Sequence, residues 1–304
     1  MADAAGWGAR IALDLALGAG RTVLVQKQQQ GPLTVQRAFY PEGPPCHLYL
    51  LHPPGGVVGG DRLEIAVRVR EGAHALLTAP GAAKFYRSAG APAQLQQRFQ
   101  VEEGAVLEWL PHESILFPGA DVALQTEVAL TGNARFIGWE ILSLGRPVVD
   151  ERFSAGRANI GLRLSRDGRG VLQEHLRLGA VGRGAGSPRG ADPAAGSGRG
   201  EGSIVHSAME TEMALAGASG LRGWPITATL LAIGAGVEDR NAVRAALPAE
   251  VGFPIGVTLL DDLLVARALA HKVEPVLHAF RALWHVLRPR LLGLDASVPR
   301  IWAT

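Results

Sequence analysis

Three glutamates stand inside otherwise apolar runs of the sequence. Glu108 lies in Val-Leu-Glu-Trp-Leu, Glu140 in Ile-Gly-Trp-Glu-Ile-Leu and Glu174 in Val-Leu-Gln-Glu-His-Leu. An ionised carboxylate in such surroundings is costly unless it pairs with a cation, accepts hydrogen bonds or faces a wet internal channel. Two interpretations therefore stay open for these glutamates: an internal salt bridge to one of the chain's arginines, or a polar passage for a cation.

A second group of side chains with coordinating atoms flanks a glycine-rich stretch. Cys46, His47 and His52 offer the sulfur and nitrogen ligands that Ni²⁺ or Zn²⁺ accepts. Consecutive residues of a strand point to opposite faces, so only one of Cys46 and His47 can join His52 without a bulge. The pattern predicts at most a transient or partner-completed coordination, with His47 and His52 as candidate ligands.

Patterns typical of enzymes are missing from the sequence. There is no Gly-x-Ser-x-Gly elbow and no His-Glu-x-x-His motif, and Cys46 lacks the context of a nucleophile. Because Cys46 is the only cysteine, an internal disulfide and a Cys-x-x-Cys metal knuckle are both excluded. We therefore expect a binding protein with no catalytic residues and no tightly bound cofactor.

The stretch that follows His52 reads Pro-Pro-Gly-Gly-Val-Val-Gly-Gly-Asp and joins two strand-like segments. Two prolines fix φ, whereas the glycines permit positive φ and close approach of the backbone. The glycine spacing is that of a phosphate-binding P-loop, but Asp61 and Arg62 stand where lysine and serine or threonine are required, and a strand follows instead of a helix. A shaped turn held by Asp61 is the alternative. Its glycines are Gly55, Gly56, Gly59 and Gly60.

The segment Lys84-Phe85-Tyr86-Arg87 places two aromatic side chains between two cations and follows a Pro-Gly pair. Tyrosine and arginine are enriched among the residues that dominate protein interfaces. The segment is therefore either a docking patch or part of an aromatic core whose cations reach the solvent.

Two stretches closely resemble the signature blocks of a known family. His52-Pro-Pro-Gly-Gly-Val-Val-Gly-Gly-Asp61 and Thr78-Ala-Pro-Gly-Ala-Ala-Lys-Phe-Tyr-Arg-Ser88 are similar to those of the urease accessory protein UreD, also called UreH. The resemblance covers nearly the whole chain, apart from the first few residues and about 180–203. Shorter segments that follow the family in order and position are Gly31–Arg37, Leu107–Pro111, Phe117–Gly119, Leu144–Pro147, Leu287–Pro289 and Pro299–Thr304.

The resemblance implies a function that the residues alone do not give. Proteins of this family are non-catalytic chaperones that bind apo-urease, recruit UreF and, through it, the GTPase UreG, and help to pass nickel to the urease active site. Glu140 and Glu174 stand where the family carries acids in matching contexts, so the resemblance implies that they line a route for nickel as a transported ion. The alternatives are an adaptor that bridges urease and UreF without handling nickel, and a nucleotide-binding enzyme that uses the glycine loop.

Turn glycines that recur about every thirty residues indicate the elements that position these side chains. Each of these glycines opens a β-type run, and no helical pattern intervenes. Such a period predicts strand pairs that stack on one another and share a continuous core, although an ordinary β-sandwich is an alternative. Resemblance to the family favours a mainly β, superhelical, solenoid-like stack of strands. The glycines are Gly43, Gly72, Gly104, Gly132 and Gly168.

The remainder of the chain completes a single domain over 1–304. The stacked β region is predicted to span 1–178. Residues 179–203 are rich in glycine and poor in apolar side chains, which predicts a flexible surface insertion that lies outside the family pattern. Residues 204–304 are predicted to form a small α+β part with about two helices, near Asp239–Leu247 and from about Glu274.

Composition indicates a folded, cytoplasmic protein. The chain has 304 residues, 47% of them hydrophobic, and a formal charge of only +2. No cluster of basic residues with interleaved aromatic residues marks a nucleic-acid surface. Neither an apolar run of eighteen residues nor a signal peptide is present, so we expect no membrane association.

Overall fold

The computed structural model describes residues 6–180, 220–247 and 252–303. Most of these residues form strands of two large sheets that face each other. The strands are β1 Gly8–Leu17, β2 Thr22–Gln30, β3 Thr34–Val35, β4 Cys46–Leu51, β5 Arg62–Val69, β6 His74–Thr78, β7 Ala83–Phe85, β8 Ala93–Val101, β9 Val106–Trp109, β10 Ser114–Leu116, β11 Ala120–Leu130, β12 Arg135–Arg146, β13 Glu151–Arg152, β14 Gly156–Arg166, β15 Arg169–Ala180, β16 Ile226–Ile233, β17 Ile255–Leu260 and β18 Leu263–Ala270. The helices in the same ranges are α1 Val237–Ala246 and α2 Val273–Leu292.

Parallel stacking of successive coils builds the body of the molecule. In one sheet the order is β15-β14-β11-β8-β5-β1-β2, and β5, β8, β11 and β14 are parallel neighbours. In the other sheet β4, β6, β9 and β12 are parallel neighbours in the same way. The predicted solenoid-like stack is therefore confirmed, and the simple antiparallel sandwich is not observed.

Glycines make the turns of these coils possible. The five predicted turn glycines, from Gly43 to Gly168, all have φ between 53° and 90°. Side chains other than glycine rarely adopt this region, so each turn requires the residue that the sequence provides.

The main core lies between the two sheets. Leu63, Ile65, Val67 and Val69 of β5 point inward and are buried, as their alternation with polar residues predicts. Equivalent side chains of β8, β11 and β14 extend this layer. Burial of a continuous apolar stripe over several coils stabilises the stack, because no single coil can cover its own apolar face.

A third column, made of short parallel strand pairs, runs along one corner of the stack. Val57 pairs with Phe85, β7 pairs with β10, and β10 pairs with the end of β12 at Leu142–Leu144. The glycine loop, the segment after β7 and the segment after β10 therefore lie next to one another.

The C-terminal part covers the outer face of the second sheet. Strands β16, β18 and β17 extend that sheet from β12, and α2 packs across it. The buried side of α2 carries Val276, Phe280, Leu283 and Leu287, as its periodicity predicts. In the described residues this part has the expected α+β character and two helices, whereas β1, which pairs with β5 at the start of the stack, was not predicted.

The predicted insertion at 179–203 lies, except for its first two residues, outside the described residues, so its flexibility stays a prediction. Within the ranges that the structure describes, neither helix has the length and apolar character needed to cross a bilayer.

Candidate functional site: an internal cavity beside a buried ionic network

Glu108 lies at the centre of an ionic network beneath α2, in which the side chains of Glu108 and Arg288 are fully buried. Arg288 of α2 places its Nε 3.1 Å from each carboxylate oxygen of Glu108. The indole of Trp284 donates to Glu108 Oε2 at 2.6 Å, and His74 Nε2 lies 2.7 Å from Oε1. The outer edge of the same guanidinium donates two hydrogen bonds to Glu42, at 2.6 and 2.7 Å. Arg288 thus joins the helix to two separate segments of the β stack.

Two carboxylates share one guanidinium in this network. Burial alone would raise the pKa of Glu108, but the hydrogen bond and charge of His74 and the charge of Arg288 outweigh it and hold the pKa below its ordinary value. Burial acts the same way on Glu42, where hydrogen bonds from His47 and Arg288 lower the pKa to about 2. For Glu108 the salt-bridge interpretation therefore holds.

His47 belongs to this network and not to a site with His52. Its Nε2 lies 2.6 Å from Glu42 Oε1, and its Nδ1 is buried without a partner among the described residues. Cys46 points to the opposite face of β4, as expected, and is buried in the main core. The side chains of Cys46 and His47 therefore lie on opposite faces of the sheet.

A cavity of about 290 Å³ opens between the sheets beside the glycine loop. Its rim includes His52, Gly55, Lys84 and His112, and its deeper wall includes Glu140. A second, much smaller cavity of about 10 Å³ lies on the other side of Glu140. Glu140 therefore separates two internal spaces and faces the interior, not α2.

Glu140 has no cationic partner in the described part of the chain. Its carboxyl group contacts the hydroxyl of Thr126, which in turn lies 3.0 Å from Gln97 Oε1. A hydroxyl carries one proton, so a Thr126 that donates to Gln97 accepts from a protonated Glu140. Burial raises the pKa of Glu140 to about 7, and the nearby charge of Glu174 acts in the same direction. Glu140 is thus a carboxyl group poised between its neutral and ionised forms.

Glu174 lies beyond the small cavity, on the opposite sheet. Its apolar surroundings in the sequence suggest full burial, but the side chain is only half-buried. It lies on the face of β15 that also carries Leu172, Leu176 and Leu178. Arg267 of β18 pairs with it through Nε at 3.0 Å. Thr229, which lines the small cavity, approaches its other oxygen at 3.5 Å. Polar groups therefore extend from the cavity past Glu140 to the surface near Glu174.

Trp109 contributes a polar atom that sequence reasoning missed. Its side chain lines both cavities, and its indole nitrogen is buried without a hydrogen-bond partner among the described residues. A buried N–H donor next to a cavity is satisfied when water occupies the space. Trp109 and Glu140 together make the deep end of the cavity suited to water or a hydrated ion.

The glycine loop forms the rim of this cavity through close packing. Gly55 and Gly60 have φ of 76° and 93°. At Gly56 a Cβ atom would lie 2.0 Å from the ring of Tyr86, and at Gly59 it would lie 2.3 Å from the hydroxyl of Ser88. The loop leads into β5, so the helix N-terminus that a nucleotide-binding P-loop requires is not there.

Asp61 holds the loop from within. Its side chain is buried, and its two oxygens accept hydrogen bonds from the backbone N–H groups of Trp7 and Val58 at 2.8 and 2.9 Å. Both carboxylate oxygens are thereby used inside the protein. This geometry gives Asp61 the anchoring position that the turn interpretation assigns to it.

The segment Lys84–Arg87 divides between core and surface. Phe85 is completely buried, whereas Tyr86 and Arg87 are exposed and Lys84 lies at the cavity rim. Only three of the four side chains can therefore contact a partner in this fold.

Of the candidate metal ligands, the structure brings His52 and Glu140 to one cavity, places Glu174 beyond it and separates His47 from all three. In the ranges described, no group of three or more His, Cys, Asp or Glu side chains is arranged to hold a metal ion. Burial lowers the pKa of His52, which keeps its imidazole neutral. The fold and site thus define a β-solenoid with a cavity between its sheets whose lining includes the carboxyl group of Glu140.

Comparison with known proteins identifies the family. A model described as UreD urease accessory protein matches residues 8–198 and 202–303. The chain is 43% identical over 300 residues to a urease accessory protein UreD of Pseudomonas putida strain W619, covering 99% of this chain and 95% of the relative. A protein of the same name from Alcanivorax borkumensis is 40% identical over 304 residues, with 98% and 93% covered. The chain belongs to the UreD urease accessory protein family.

Proposed function

We propose that this protein is a cytoplasmic chaperone of urease maturation that binds apo-urease, recruits UreF and, through it, UreG, and provides an internal nickel passage. Membership of the UreD family supports the role in maturation. The observation that carries the passage is Glu140, a carboxyl group between two internal cavities with no cationic partner in the described residues.

The passage would run from the cavity rim to the far side of the solenoid. His52 at the rim and Glu140 at depth offer nitrogen and oxygen ligands, and Glu174 offers oxygen near the exit. Pairs of isolated ligands bind a divalent ion weakly, and weak binding is what transport through several positions requires. In this proposal nickel is cargo, and no resident metal is needed.

A pure adaptor that bridges urease and UreF without handling nickel is the second candidate. The ion pair between Arg267 and Glu174 favours it, because a carboxylate that is already neutralised needs no metal to be stable. In that case Glu140 would remain protonated beside Thr126.

The test is co-expression with urease and the other accessory proteins, comparing the wild type with the double variant Glu140→Gln and Glu174→Gln. Both substitutions keep size and hydrogen-bonding capacity and remove charge. We expect normal assembly on size-exclusion chromatography and a several-fold lower nickel content of urease by mass spectrometry. Glu127→Gln, an exposed change on the outer face of β11, is the matched control.

Full nickel loading by the double variant would remove the passage and leave the adaptor. Failure of the double variant to assemble would show instead that these glutamates serve the structure. Comparable urease activation with and without the chain would refute the maturation role itself.

A further inference from the structure

One corner of the solenoid concentrates exposed apolar side chains. Eleven large hydrophobic residues are exposed in the described ranges, and five of them lie in the segments that lead into β1, β5, β8 and β14, at the edge of the first sheet where these parallel strands begin. Val148 and Val149 are 82% and 62% exposed, although they are adjacent in a tight turn. Apolar surface gathered in one place marks an interaction site more often than scattered apolar residues do. The five residues are Trp7, Val58, Tyr86, Val148 and Val149.

A stacked ladder makes this corner rigid. The ring of Tyr86 packs against Gly56 on one side and lies 4.8 Å from the ring of Phe117 on the other. The guanidinium of Arg146 lies 5.0 Å from the centre of Phe117, and its Nε donates to Glu151 at 2.7 Å. The parallel pairing of the third column holds these side chains in register, so a partner would not have to order them.

The charge at the corner is positive. Arg87 and Arg152 are exposed, and neither forms an ion pair within the described part of the chain. Arg146 is already neutralised by Glu151, which leaves exposed Asp150 as the opposing charge on the turn. A partner that complements this corner carries carboxylates around an apolar centre.

The corner also adjoins the cavity. Gly56, which contacts Tyr86, lines the cavity rim together with Gly55 and Lys84. A protein seated on the ladder would therefore cover or meet the opening through which, under the proposed function, nickel enters.

We propose that this corner, formed by Val58, Tyr86, Phe117 and the Val148–Val149 turn with Arg87 and Arg152, binds an acidic, apolar segment of the accessory protein that this chain recruits. The inference rests on the proposed function and specifies which surface meets that partner and with what chemistry. Tyrosine and arginine beside aliphatic side chains are the composition of a binding hot spot.

The experiment measures binding of purified UreF and, separately, of apo-urease to immobilised full-length protein. One variant combines Tyr86→Ser, Val148→Ser and Val149→Ser, and a second combines Arg87→Glu with Arg152→Glu. The matched control is Leu17→Ser with Val25→Ser, residues that are 54% and 48% exposed. Leu17 is the last residue of β1 and Val25 lies within β2, so both are away from the edge where the parallel strands begin. Arg87→Lys serves as the conservative variant.

We expect each corner variant to raise the Kd for UreF by about tenfold or more, which corresponds to about 1.4 kcal/mol. The control and Arg87→Lys should bind as the wild type does, and apo-urease binding should be unchanged. The effect of charge reversal should shrink at high salt, because exposed charges are screened.

Wild-type binding that both corner variants retain would overturn the inference and leave the proposed function intact. Loss of apo-urease binding with UreF binding kept would assign the corner to urease and would also overturn it. A wild type that does not bind UreF at all would refute the recruitment on which the inference rests. Should the triple serine variant fail to fold, the charge-reversal variant decides the question alone.

Discussion

Glu108 and Glu140 lie in neighbouring parallel strands of one sheet, yet they face opposite sides of it. The register places Glu108 beside Ile137, which is three residues before Glu140. Because side chains alternate between the two faces of a strand, an odd separation puts the two carboxyl groups on opposite faces. Glu108 points outward beneath α2 and meets Arg288, whereas Glu140 points inward between the sheets and meets Thr126 and a cavity. The same residue type in similar sequence surroundings is structural in one place and available for binding in the other.

The difference lies in what neutralises the charge. Around Glu108 a guanidinium, an indole and an imidazole satisfy both oxygens, so no space remains for a ligand. Around Glu140 a threonine hydroxyl satisfies one oxygen, no cation pairs with the carboxyl group in the described residues, and a cavity adjoins it on either side. A buried carboxylate without a fixed counter-charge has a reason to bind a cation, and a paired one does not.

The largest effect that tests this comparison is expected from Arg288→Met. The substitution leaves Glu108 and Glu42 buried without their shared cation, which should lower the free energy of unfolding by about 3–5 kcal/mol. Urea unfolding followed by circular dichroism measures the change. Arg290→Met on the same helix removes a partly exposed pair with Asp239 and should cost less than about 1 kcal/mol. Equal effects of the two substitutions would contradict the structural role of the network.

The two regions should also respond to pH in opposite directions. The pKa of Glu140 is raised to about 7, so its contribution to stability is present at low pH and is lost as pH rises from about 4.5 through 7. At about 1.4 kcal/mol for each pH unit, the loss reaches about 3.5 kcal/mol. Glu140→Gln should lack this loss, so the difference in unfolding free energy between wild type and variant should depend on pH. Curves that stay parallel from pH 4.5 to 8.5 would show that Glu140 is not desolvated.

The network side gives the reverse slope at acid pH. The pKa of Glu42 is lowered to about 2, so its stabilisation is present above about 4.5 and is lost as pH falls toward 2. The same unfolding measurements, extended below pH 4.5, should show this loss in the wild type and a smaller loss in Arg288→Met, where the hydrogen bond from His47 still lowers the pKa of Glu42.

A smaller effect is expected at the cavity rim from Gly60→Val. Gly60 has φ of 93°, where a β-branched residue is strained by about 1–3 kcal/mol. We expect a lower melting temperature and weaker partner binding, measured by calorimetry and pull-down. Gly81→Val, at a position with open space around the missing Cβ and no positive φ, is the control. Normal folding and urease activation by Gly60→Val would show that the loop does not organise the rim.

The smallest effect is expected from replacing 179–203 with a short Gly-Ser linker. The composition of this segment cannot bury much apolar area, so urease activation should be unchanged. Loss of complex formation after the replacement would identify the segment as an interface. The expected result for 179–203 rests on the sequence alone, whereas those for Glu108 and Glu140 rest on the structure around each carboxyl group.

The solenoid could be predicted because its signals are local. Buried residues alternate strictly with more exposed ones along β5, and each turn has a glycine with positive φ, so both signals lie within a few consecutive residues. The helix from Val273 likewise shows its apolar stripe within a few turns. Strand β1 has the same local signal, because Ile11, Leu13 and Leu15 are buried at every second position, but it is not among the predicted strands. Only its parallel pairing with β5 depends on residues that are distant in sequence.

The candidate site depended on contacts that are not local. Arg288 lies 180 residues from Glu108, and no pattern near Glu108 announces it. Arg267 is likewise 93 residues from Glu174. The free indole of Trp109 has no sequence signal at all, because an unpaired donor is defined by what its surroundings lack.

The sequence by itself determined that the chain stacks β coils, that its turns need glycine and that three carboxylates enter apolar strands. Only the tertiary structure decided which of those carboxylates has a cation. The reason is physical: backbone periodicity and turn geometry act between residues that are close in the chain, whereas the charge state of a buried group depends on every charge within a few ångströms, whatever its position in the sequence. For Glu108 that neighbourhood holds Arg288, and for Glu140 it holds a cavity.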